Sequence, residues 1–386
     1  MNHMKKFFAP LLAGLLLLSC TSCALRETYE KVDPGESYGT EGTPSLTIAE
    51  KVNDLDSPAE DPVIDVPPNE PDAKTEFRIV ITGDIKLDEA MIEDARAHAS
   101  EGKDYAFLRM YTGVYRTIND ADFAVGAYSA IGKPYGTEAE YEPPTEHLDA
   151  LASLGYDLLD ISGMGSDYRV MEEHGLSGFS DAEQGDEAFK SVEKDGVTYV
   201  FSAVGADGSA QSYNDDGYYA SLRSADEEAD FTLVSVHWDE EIEPEEAAEI
   251  AEKLAEAGAD AVVGYGESLG RALYVETTDG RQVPVIYSVG NLLSTSDEGY
   301  CLVSGILSLT FTTSGEETVM TAAVIPTVVH YTAENAEYCV YRLIDYTDDL
   351  AQANADEVDV EGLTEFALGK IPAEFLPAEF LPDENN

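Results

Sequence analysis

Apolar and polar residues alternate most clearly between residues 231 and 293. An apolar run over 231–236 ends in the polar cluster His237-Trp238-Asp239-Glu240-Glu241. The next segment, 244–257, repeats apolar residues at three- and four-residue spacing, which predicts a helix, and Gly258 follows as helix ends favour. Apolar runs at 259–263 and 283–289 predict two more strands. Strands and helices that alternate, with polar residues at the strand ends, are typical of an α/β site.

The same reasoning predicts further elements on both sides of this segment. Strands are expected at 77–82, 123–125, 156–161 and 197–204, and helices at 87–98 and 147–154. Residues 300–329 favour two or three long strands with a turn at Ser314-Gly315, which predicts an antiparallel sheet. We therefore expect one folded domain over 76–330, followed by a C-terminal extension and acidic tail over 331–386.

The N-terminus has the pattern of an export signal. Lys5 and Lys6 precede an apolar stretch over 7–18, which is too short for an ordinary membrane span. Ser19 and Cys20 follow, which predicts a lipoprotein signal over 1–19 with Cys20 acylated. A simple secretory signal is the alternative, and Cys23 is a second lipidation candidate. Residues 20–75 are rich in Pro, Gly and acids, and they predict a flexible tether. The expected location is the extracytoplasmic face of a bacterial membrane.

Charge narrows the possible partners. The chain has 386 residues with 22 basic and 77 acidic side chains, for a net charge of −55. Nucleic acid is therefore excluded as an expected partner. An apolar share of 44% predicts a packed core beneath these acids. Cys301 and Cys339 either pair outside the cytoplasm or remain buried free thiols.

Four short motifs carry a resemblance to a known family. They are Thr82-Gly83-Asp84, His237-Trp238-Asp239-Glu240-Glu241, Ala257-Gly258-Ala259-Asp260 and Tyr287-Ser288-Val289-Gly290-Asn291. In this order they resemble the CapA-type capsule-synthesis proteins, which make poly-γ-glutamate and have a calcineurin-like metallophosphatase fold. The resemblance implies an α/β (α+β) fold in which a sandwich of two mixed β-sheets is flanked by helices.

The family's metal ligands are only partly present. Asp84, His237, Glu241 and Asn291 match its landmarks, whereas the landmarks at 127–129, 163–165 and 264–268 have lost their polar or histidine residues. Two ions held 3.5–4 Å apart need several converging ligands, so we expect no dinuclear centre and no cofactor. A single Ca²⁺ or Mg²⁺ on Asp84, Glu241 and Asn291 is the alternative.

Several of these residues also have purely structural interpretations. His237 could be a packed histidine, Asp84 a helix or turn cap, and Asn291 a turn residue. Glu267 and Arg271 could form a surface pair, or Arg271 could anchor a carboxylate in a new pocket. A groove for carbohydrate or peptide is the binding hypothesis, and its expected aromatic lining is Tyr128, Trp238 and Tyr265.

The resemblance implies a cell-surface protein of capsule or poly-γ-glutamate biosynthesis or anchoring. We expect a metal-free binding or assembly component whose partners are the capsule polymer or its synthesis machinery. One alternative is an active hydrolase or transferase on an envelope polymer, with a site rebuilt around Asp84, His237 and Glu241. The other is a solute-binding surface lipoprotein. The sequence has no Walker loop, no Gly-x-Ser-x-Gly and no His-Glu-x-x-His motif.

Overall fold

A computed structural model describes residues 75–129, 144–162, 169–181, 188–194, 196–206, 209–239, 241–295, 299–315, 317–332 and 337–381. The predicted signal, Cys20, Cys23, the tether and the landmark at 163–165 lie outside these residues. Within the described part of the chain, no helix has the length and apolar character that a membrane crossing requires.

Two mixed sheets contain all fourteen strands that the described residues form. The first sheet has the order β14-β13-β12-β1-β2-β3-β4, with β11 paired to β1. Its strands are β1 (Thr75–Ile85), β2 (Phe123–Tyr128), β3 (Leu158–Asp160), β4 (Ser177–Phe179), β11 (Asn291–Leu293), β12 (Val303–Ser314), β13 (Glu317–Thr332) and β14 (Glu337–Arg342). The strands β1 to β4 run parallel, and β12 to β14 run antiparallel.

The second sheet has six strands in the order β5-β6-β7-β8-β10-β9. They are β5 (Phe189–Lys194), β6 (Val197–Val204), β7 (Phe231–His237), β8 (Ala261–Tyr265), β9 (Ala272–Glu276) and β10 (Gln282–Ile286). The four central strands are parallel, and the edge strands β5 and β9 are antiparallel to their neighbours.

Aromatic side chains join the two sheets face to face. Phe311 of β12 contacts Phe231 and Tyr199 of the second sheet, with ring centroids 4.6 and 5.1 Å apart. Phe123 of β2 stacks on Phe201 of β6 at 5.5 Å. Large rings fill the space between two pleated surfaces with few atoms left in contact with water, so they supply much of the apolar burial that holds a sandwich together.

Helices cover the outer faces. They are α1 (Glu89–Ala97), α2 (Tyr115–Asn119), α3 (Glu146–Leu154), α4 (Arg169–Glu173), α5 (Asp216–Glu228), α6 (Pro244–Glu256), α7 (Asp348–Ala353) and α8 (Val360–Lys370). In α6 the buried residues Ala247, Ile250, Ala251 and Leu254 form one stripe. The helix is followed by Gly258 at φ 118°, a backbone conformation that glycine adopts without strain. The predicted α/β class, with two mixed sheets flanked by helices, is therefore confirmed.

The C-terminal region differs from its expected description. The boundary expected at residue 330 falls inside β13, and β14 pairs with the outer edge of that strand. Phe375 is completely buried and stacks on Tyr274 at 4.5 Å. Residues 337–381 thus complete the packed body, because without β14 the backbone groups of residues 327–332 on that edge of β13 would be unpaired. Cys301 and Cys339 are both half-buried and are not joined to each other, so the disulfide alternative is wrong for this structure.

Candidate functional site

Polar side chains gather where the parallel strands of both sheets end. Asp84 and Asp160 lie at the ends of β1 and β3, and His237 and Tyr265 end β7 and β8. Asp84, His237 and Tyr265 line a cleft of 910 Å³, together with Trp238 and Asn291. We call it the strand-end cleft. The carboxyl ends of parallel strands are the usual place for a site in α/β folds, because loops there can bring together residues distant in sequence.

Asp84 lies beside Asn291 because β1 and β11 are adjacent parallel strands with these two residues in register. The close approach requires Gly83, where a Cβ would lie 2.2 Å from the Gly290 carbonyl oxygen. Asp84 Oδ1 and Asn291 Oδ1 are both buried and have no hydrogen-bond donor among the described residues. Burial raises the pKa of Asp84, although the charge of Lys86 and a hydrogen bond from Ser129 act against the rise.

His237 forms an ion pair with Asp160. The distance from His237 Nε2 to Asp160 Oδ2 is 2.8 Å, and the Asp160 side chain is fully buried. Ser162 donates its hydroxyl and its backbone N–H to Asp160 Oδ1, at 2.6 and 3.1 Å. The Tyr265 ring stacks on the imidazole with centroids 5.0 Å apart. These contacts fix the orientation of the imidazole at the edge of the cleft.

Opposite pKa shifts follow from this pairing. Burial alone would raise the pKa of Asp160, but the charge of His237 and the hydrogen bonds from His237 and Ser162 lower it below its usual value. Burial alone would lower the pKa of His237, but Asp160, Asp181 and Asp84 raise it by their negative charge. Both shifts favour the ionised pair, with a positive imidazolium against a negative carboxylate.

Trp238 closes one side of the cleft. Its indole N–H donates to the Tyr287 carbonyl at 2.7 Å. The ring passes so close to β8 that a Cβ at residue 264 would lie 2.2 Å from Trp238 Nε1, which only Gly264 avoids. The Arg271 guanidinium lies over the Tyr287 ring, 5.7 Å from its centroid. Trp238 and Tyr287 are thus structural walls, and Arg271 is held in the lining by a cation–π contact.

Three basic side chains line the strand-end cleft: Lys86, Arg271 and Lys370. Lys370 comes from the end of α8, where its ammonium lies 5.5 Å from the Phe366 ring centroid. The cleft also has the acidic residues Asp84, Asp239 and Glu267. Because acids outnumber basic residues 77 to 22 in the whole chain, equal numbers in one cleft make it positive relative to the remaining surface.

Two residues expected at the site lie outside it. Tyr128 is 1% exposed, and its hydroxyl lies 3.2 Å from Nδ1 of His147 in the core. A buried tyrosine hydroxyl needs such a partner, and here it finds one away from the cleft. Glu241 is exposed and does not line the cleft, and its backbone N–H donates to Asp239 Oδ1 at 2.9 Å. The strand-end cleft brings together the other expected residues, which are Asp84, His237, Trp238, Tyr265, Arg271 and Asn291.

The donor set does not fit a pair of metal ions. Among the described residues, no three His, Cys, Asp or Glu side chains form a group that could hold one ion. His237 Nε2 is already engaged by Asp160, and residues 264–268 supply no histidine. Of the three ligands considered for a single hard cation, Glu241 lies elsewhere. Asp84 Oδ1 and Asn291 Oδ1 remain as two oxygens that such an ion would accept.

Three residues of the site were missed by the sequence reasoning. Asp160 ends a strand that was predicted, so the argument used for Asp84 would have found it. Lys86 follows Asp84 by two residues and could have been noted as a cation near a candidate carboxylate. Lys370 had no signal, because it lies in a segment that was expected to be an extension.

Comparisons with known proteins agree with the resemblance in part of the chain. Residues 172–296 match the family described as "Bacterial capsule synthesis protein PGA_cap". No curated protein matches the chain.

Three solved structures are similar at low identity. A hypothetical protein from Thermus thermophilus is 16% identical over 65% of this chain and 99% of its own, with a TM-score of 0.41. A phosphatase from Mycoplasma pneumoniae is 9% identical over 66% and 95%, with a TM-score of 0.42. Vps29 of Chaetomium thermophilum is 12% identical over 69% and 98%, with a TM-score of 0.27. At these TM-scores we draw no conclusion from them.

The matched segment contains all six strands of the second sheet and β11, and with them His237, Tyr265 and Asn291 of the strand-end cleft. The resemblance of this chain to the CapA-type bacterial capsule-synthesis family is therefore confirmed over residues 172–296.

Proposed function

We propose that the protein binds an anionic capsule polymer of the poly-γ-glutamate type in the strand-end cleft, as a metal-free binding or assembly component. The family of residues 172–296 relates the chain to capsule synthesis, and the binding role is our inference. The observation that carries it is the convergence of Lys86, Arg271 and Lys370 in one cleft of a chain with a net charge of −55.

The chemistry of these side chains suits a polymer that carries regularly spaced carboxylates. The acidic surface repels such a polymer everywhere else, so contact requires a local cationic site. A guanidinium offers two parallel N–H donors to a carboxylate, and Arg271 is already oriented by Tyr287. His237 lies at the edge of the cleft, where the negative charges of Asp160, Asp181 and Asp84 raise its pKa and favour the imidazolium form. Neither contact needs a metal ion.

Binding of purified poly-γ-glutamate to the full chain tests the proposal. Arg271→Gln and Lys370→Gln should each weaken binding about tenfold, since each removes a charge-assisted contact. Lys253→Gln is the matched control, because Lys253 is exposed on α6 and makes the same charge change outside the cleft. Equal weakening in all three variants would mean that net charge alone drives binding. Unchanged binding in Arg271→Gln and Lys370→Gln would mean that the strand-end cleft is not the polymer-binding site.

Anchoring at the extracytoplasmic face is a separate part of the proposal. It rests on the sequence of residues 1–23, where Cys20 is the preferred lipidation site and Cys23 the second candidate. Metabolic labelling with a fatty acid should mark the wild type and Cys23→Ser, and Cys20→Ser should lose the label. If Cys20→Ser keeps the label and Cys23→Ser loses it, Cys23 is the lipidation site. If the wild type is not labelled, the protein has no lipid anchor and this part of the proposal is wrong.

A second candidate function is hydrolysis of an envelope polymer with the His237–Asp160 pair as acid and base. The specific observation is a fully buried carboxylate that holds one imidazole nitrogen at 2.8 Å, which is how many catalytic histidines are oriented. Release of new amino ends from poly-γ-glutamate, measured with and without added Mn²⁺, tests it. Stoichiometric bound metal together with activity that His237→Ala abolishes would replace the binding proposal by an enzymatic one.

A further inference from the structure

A second cleft, of 790 Å³, lies away from the strand-end cleft and shares no lining residue with it. Its floor is the surface of the first sheet, where Arg78 of β1 and Ser308 and Thr310 of β12 lie on adjacent strands. Its walls include Arg116 of α2 and Arg342 at the end of β14. We call this the arginine cleft.

The three arginines differ in whether acidic side chains pair with them. Arg342 donates to Asp345 at 2.7 Å and to Glu379 at 2.9 Å, so its charge is compensated. The guanidinium groups of Arg78 and Arg116 form no ion pair and no hydrogen bond with any residue that the structure describes. Asp122, which could have paired with Arg78, instead accepts the backbone N–H of that residue at 2.8 Å.

Uncompensated guanidinium groups are unexpected in this chain, because acids outnumber basic residues 77 to 22. Arg78 is also half-buried, and its guanidinium has no acidic partner among the residues that the structure describes. A ligand that supplies negative charge beside such groups gains charge-assisted hydrogen bonds. The lining of the arginine cleft therefore suits an anionic ligand that pairs with these guanidinium groups.

The remaining lining groups can donate hydrogen bonds to the same kind of ligand. Thr117 and Ser308 are buried to about nine-tenths, and Thr310 is half-buried beside Arg78 on the neighbouring strand. Hydroxyl groups together with guanidinium forks are a donor set that fits the oxygens of a carboxylate or a phosphate. The volume lies within the range of pockets that hold small molecules, about 300–1,000 Å³.

We propose that the arginine cleft binds a small molecule that carries carboxylate or phosphate groups, at a site independent of the strand-end cleft. Arg78 and Arg116 hold the oxyanion, and the hydroxyls of the floor orient it. Asp120, which also lines the cleft, limits the affinity by its negative charge and selects against ligands with acidic groups on that side.

Calorimetric titration of the full chain with two probes, glutarate and inorganic phosphate, tests the proposal. We expect saturable binding of at least one probe, weakened about tenfold in Arg116→Gln because one charge-assisted contact is lost. Arg116 is exposed, so this variant should fold as the wild type does. Arg223→Gln is the matched control, an exposed helical arginine outside both clefts, and it should bind like the wild type.

Two further variants separate this site from general charge effects and from the strand-end cleft. Asp120→Asn should tighten binding several-fold, since it removes a like charge from the lining. Lys370→Gln, in the other cleft, should leave the Arg116-dependent binding unchanged.

A glutarate signal identifies a carboxylate ligand and a phosphate signal a phosphate ligand, and either result supports the site. Absence of saturable binding by both probes, or binding that Arg116→Gln and Arg78→Gln leave intact, would overturn the proposal. Neither result bears on the polymer-binding role of the strand-end cleft.

Discussion

Two buried aspartates at the strand-end cleft have opposite pKa shifts because hydrogen bonds and an opposite charge outweigh the effect of burial only at Asp160. Asp160 receives hydrogen bonds from His237 and Ser162, and its pKa is lowered despite complete burial. Asp84 has one oxygen without a donor among the described residues, and burial raises its pKa. A carboxylate with unused acceptor capacity is the kind of group that a site keeps for a ligand, since it destabilises the fold while it stays charged.

The ion pair gives a prediction with a defined pH window. His237 has a folded pKa above 6.5, so its contribution to stability is complete below 6.5 and disappears as the pH rises through the folded pKa. Asp160 has a folded pKa below 3.8, so its contribution is present above 3.8 and disappears in acid. Asp160→Asn should therefore cost about 3 kcal/mol of unfolding free energy between these limits, and less at alkaline pH.

Denaturant unfolding of both proteins across this pH range measures the loss. Asp149→Asn is the control, because Asp149 pairs with His174 at 2.6 Å but is 63% exposed. A surface pair of that kind contributes at most about 1 kcal/mol. A loss in Asp160→Asn that does not diminish above the usual pKa of histidine would mean that the imidazole is neutral in the folded protein.

Sequence reasoning located most of the strand-end residues and misjudged their partners. The family resemblance pointed to Asp84, His237 and Asn291. Each of them, like Tyr265, follows a predicted apolar run, and such positions gather at one edge when the strands are parallel. Tyr128 also ends its strand, but its side chain enters the core, where its hydroxyl lies 3.2 Å from His147 Nδ1. Which side chains pair depends on distances between separate segments, such as the 77 residues between Asp160 and His237, and no local pattern contains them.

At the scale of elements, helix α3 carries a histidine that makes the fold sensitive to acid. His147 is completely buried between Tyr111 and Tyr128, with Nε2 2.8 Å from one hydroxyl and Nδ1 3.2 Å from the other. Burial lowers its pKa from 6.5 to about 3. Between these values the unfolded chain binds a proton that the folded protein does not, so the stability falls as the pH falls.

The expected size of this effect is up to about 5 kcal/mol at the acid end of the interval, from the free-energy equivalent of each pKa unit. His147→Gln should remove it, so that the unfolding free energy of the variant changes less between pH 6.5 and about 3 than that of the wild type. Urea titrations at several pH values give the two curves. Parallel curves would show that His147 is protonated in the folded protein.

The C-terminal elements belong to the core, and one substitution measures how much they contribute. Phe375 is completely buried against Tyr274, so Phe375→Ala should cost about 3–5 kcal/mol of unfolding free energy. Leu381→Ala, six residues later at a position that is 41% exposed, should change it by less than about 0.5 kcal/mol. A small effect of Phe375→Ala would restore the interpretation of this region as an extension.

Helices and strands could be predicted from the sequence where the spacing of apolar residues within the segment itself indicates the element. The strand Val197–Val204 and the helix Pro244–Glu256 follow directly from apolar periodicity. The hairpin of β12 and β13 follows from two long apolar runs around Ser314-Gly315. The order of strands could not be predicted from such patterns, because β12 lies next to β1 although more than two hundred residues separate them. The resemblance supplied the sandwich of two mixed sheets but not the order of its strands.

At the scale of the whole molecule, the two clefts differ from the remaining surface in their share of basic side chains. A net charge of −55 repels anions and opposes the folded state itself. Basic residues are few, yet three line the strand-end cleft and three line the arginine cleft. In the described part of the chain, this distribution favours the two clefts over the acidic surface for an anionic ligand, which supports both proposed sites.

The same charge predicts how salt acts on stability. Added NaCl should raise the melting temperature, because the screening length falls from about 10 Å at 0.1 M to about 3 Å at 1 M and repulsion between acidic side chains decreases. MgCl₂ at equal ionic strength should stabilise Asp84→Asn to the same extent as NaCl. An additional stabilisation in the wild type, absent in Asp84→Asn, would indicate an ion at Asp84 Oδ1 and Asn291 Oδ1, the two buried oxygens without a donor in the described part of the chain. A melting temperature that does not respond to NaCl would mean that counter-charges within the fold already balance the acidic surface.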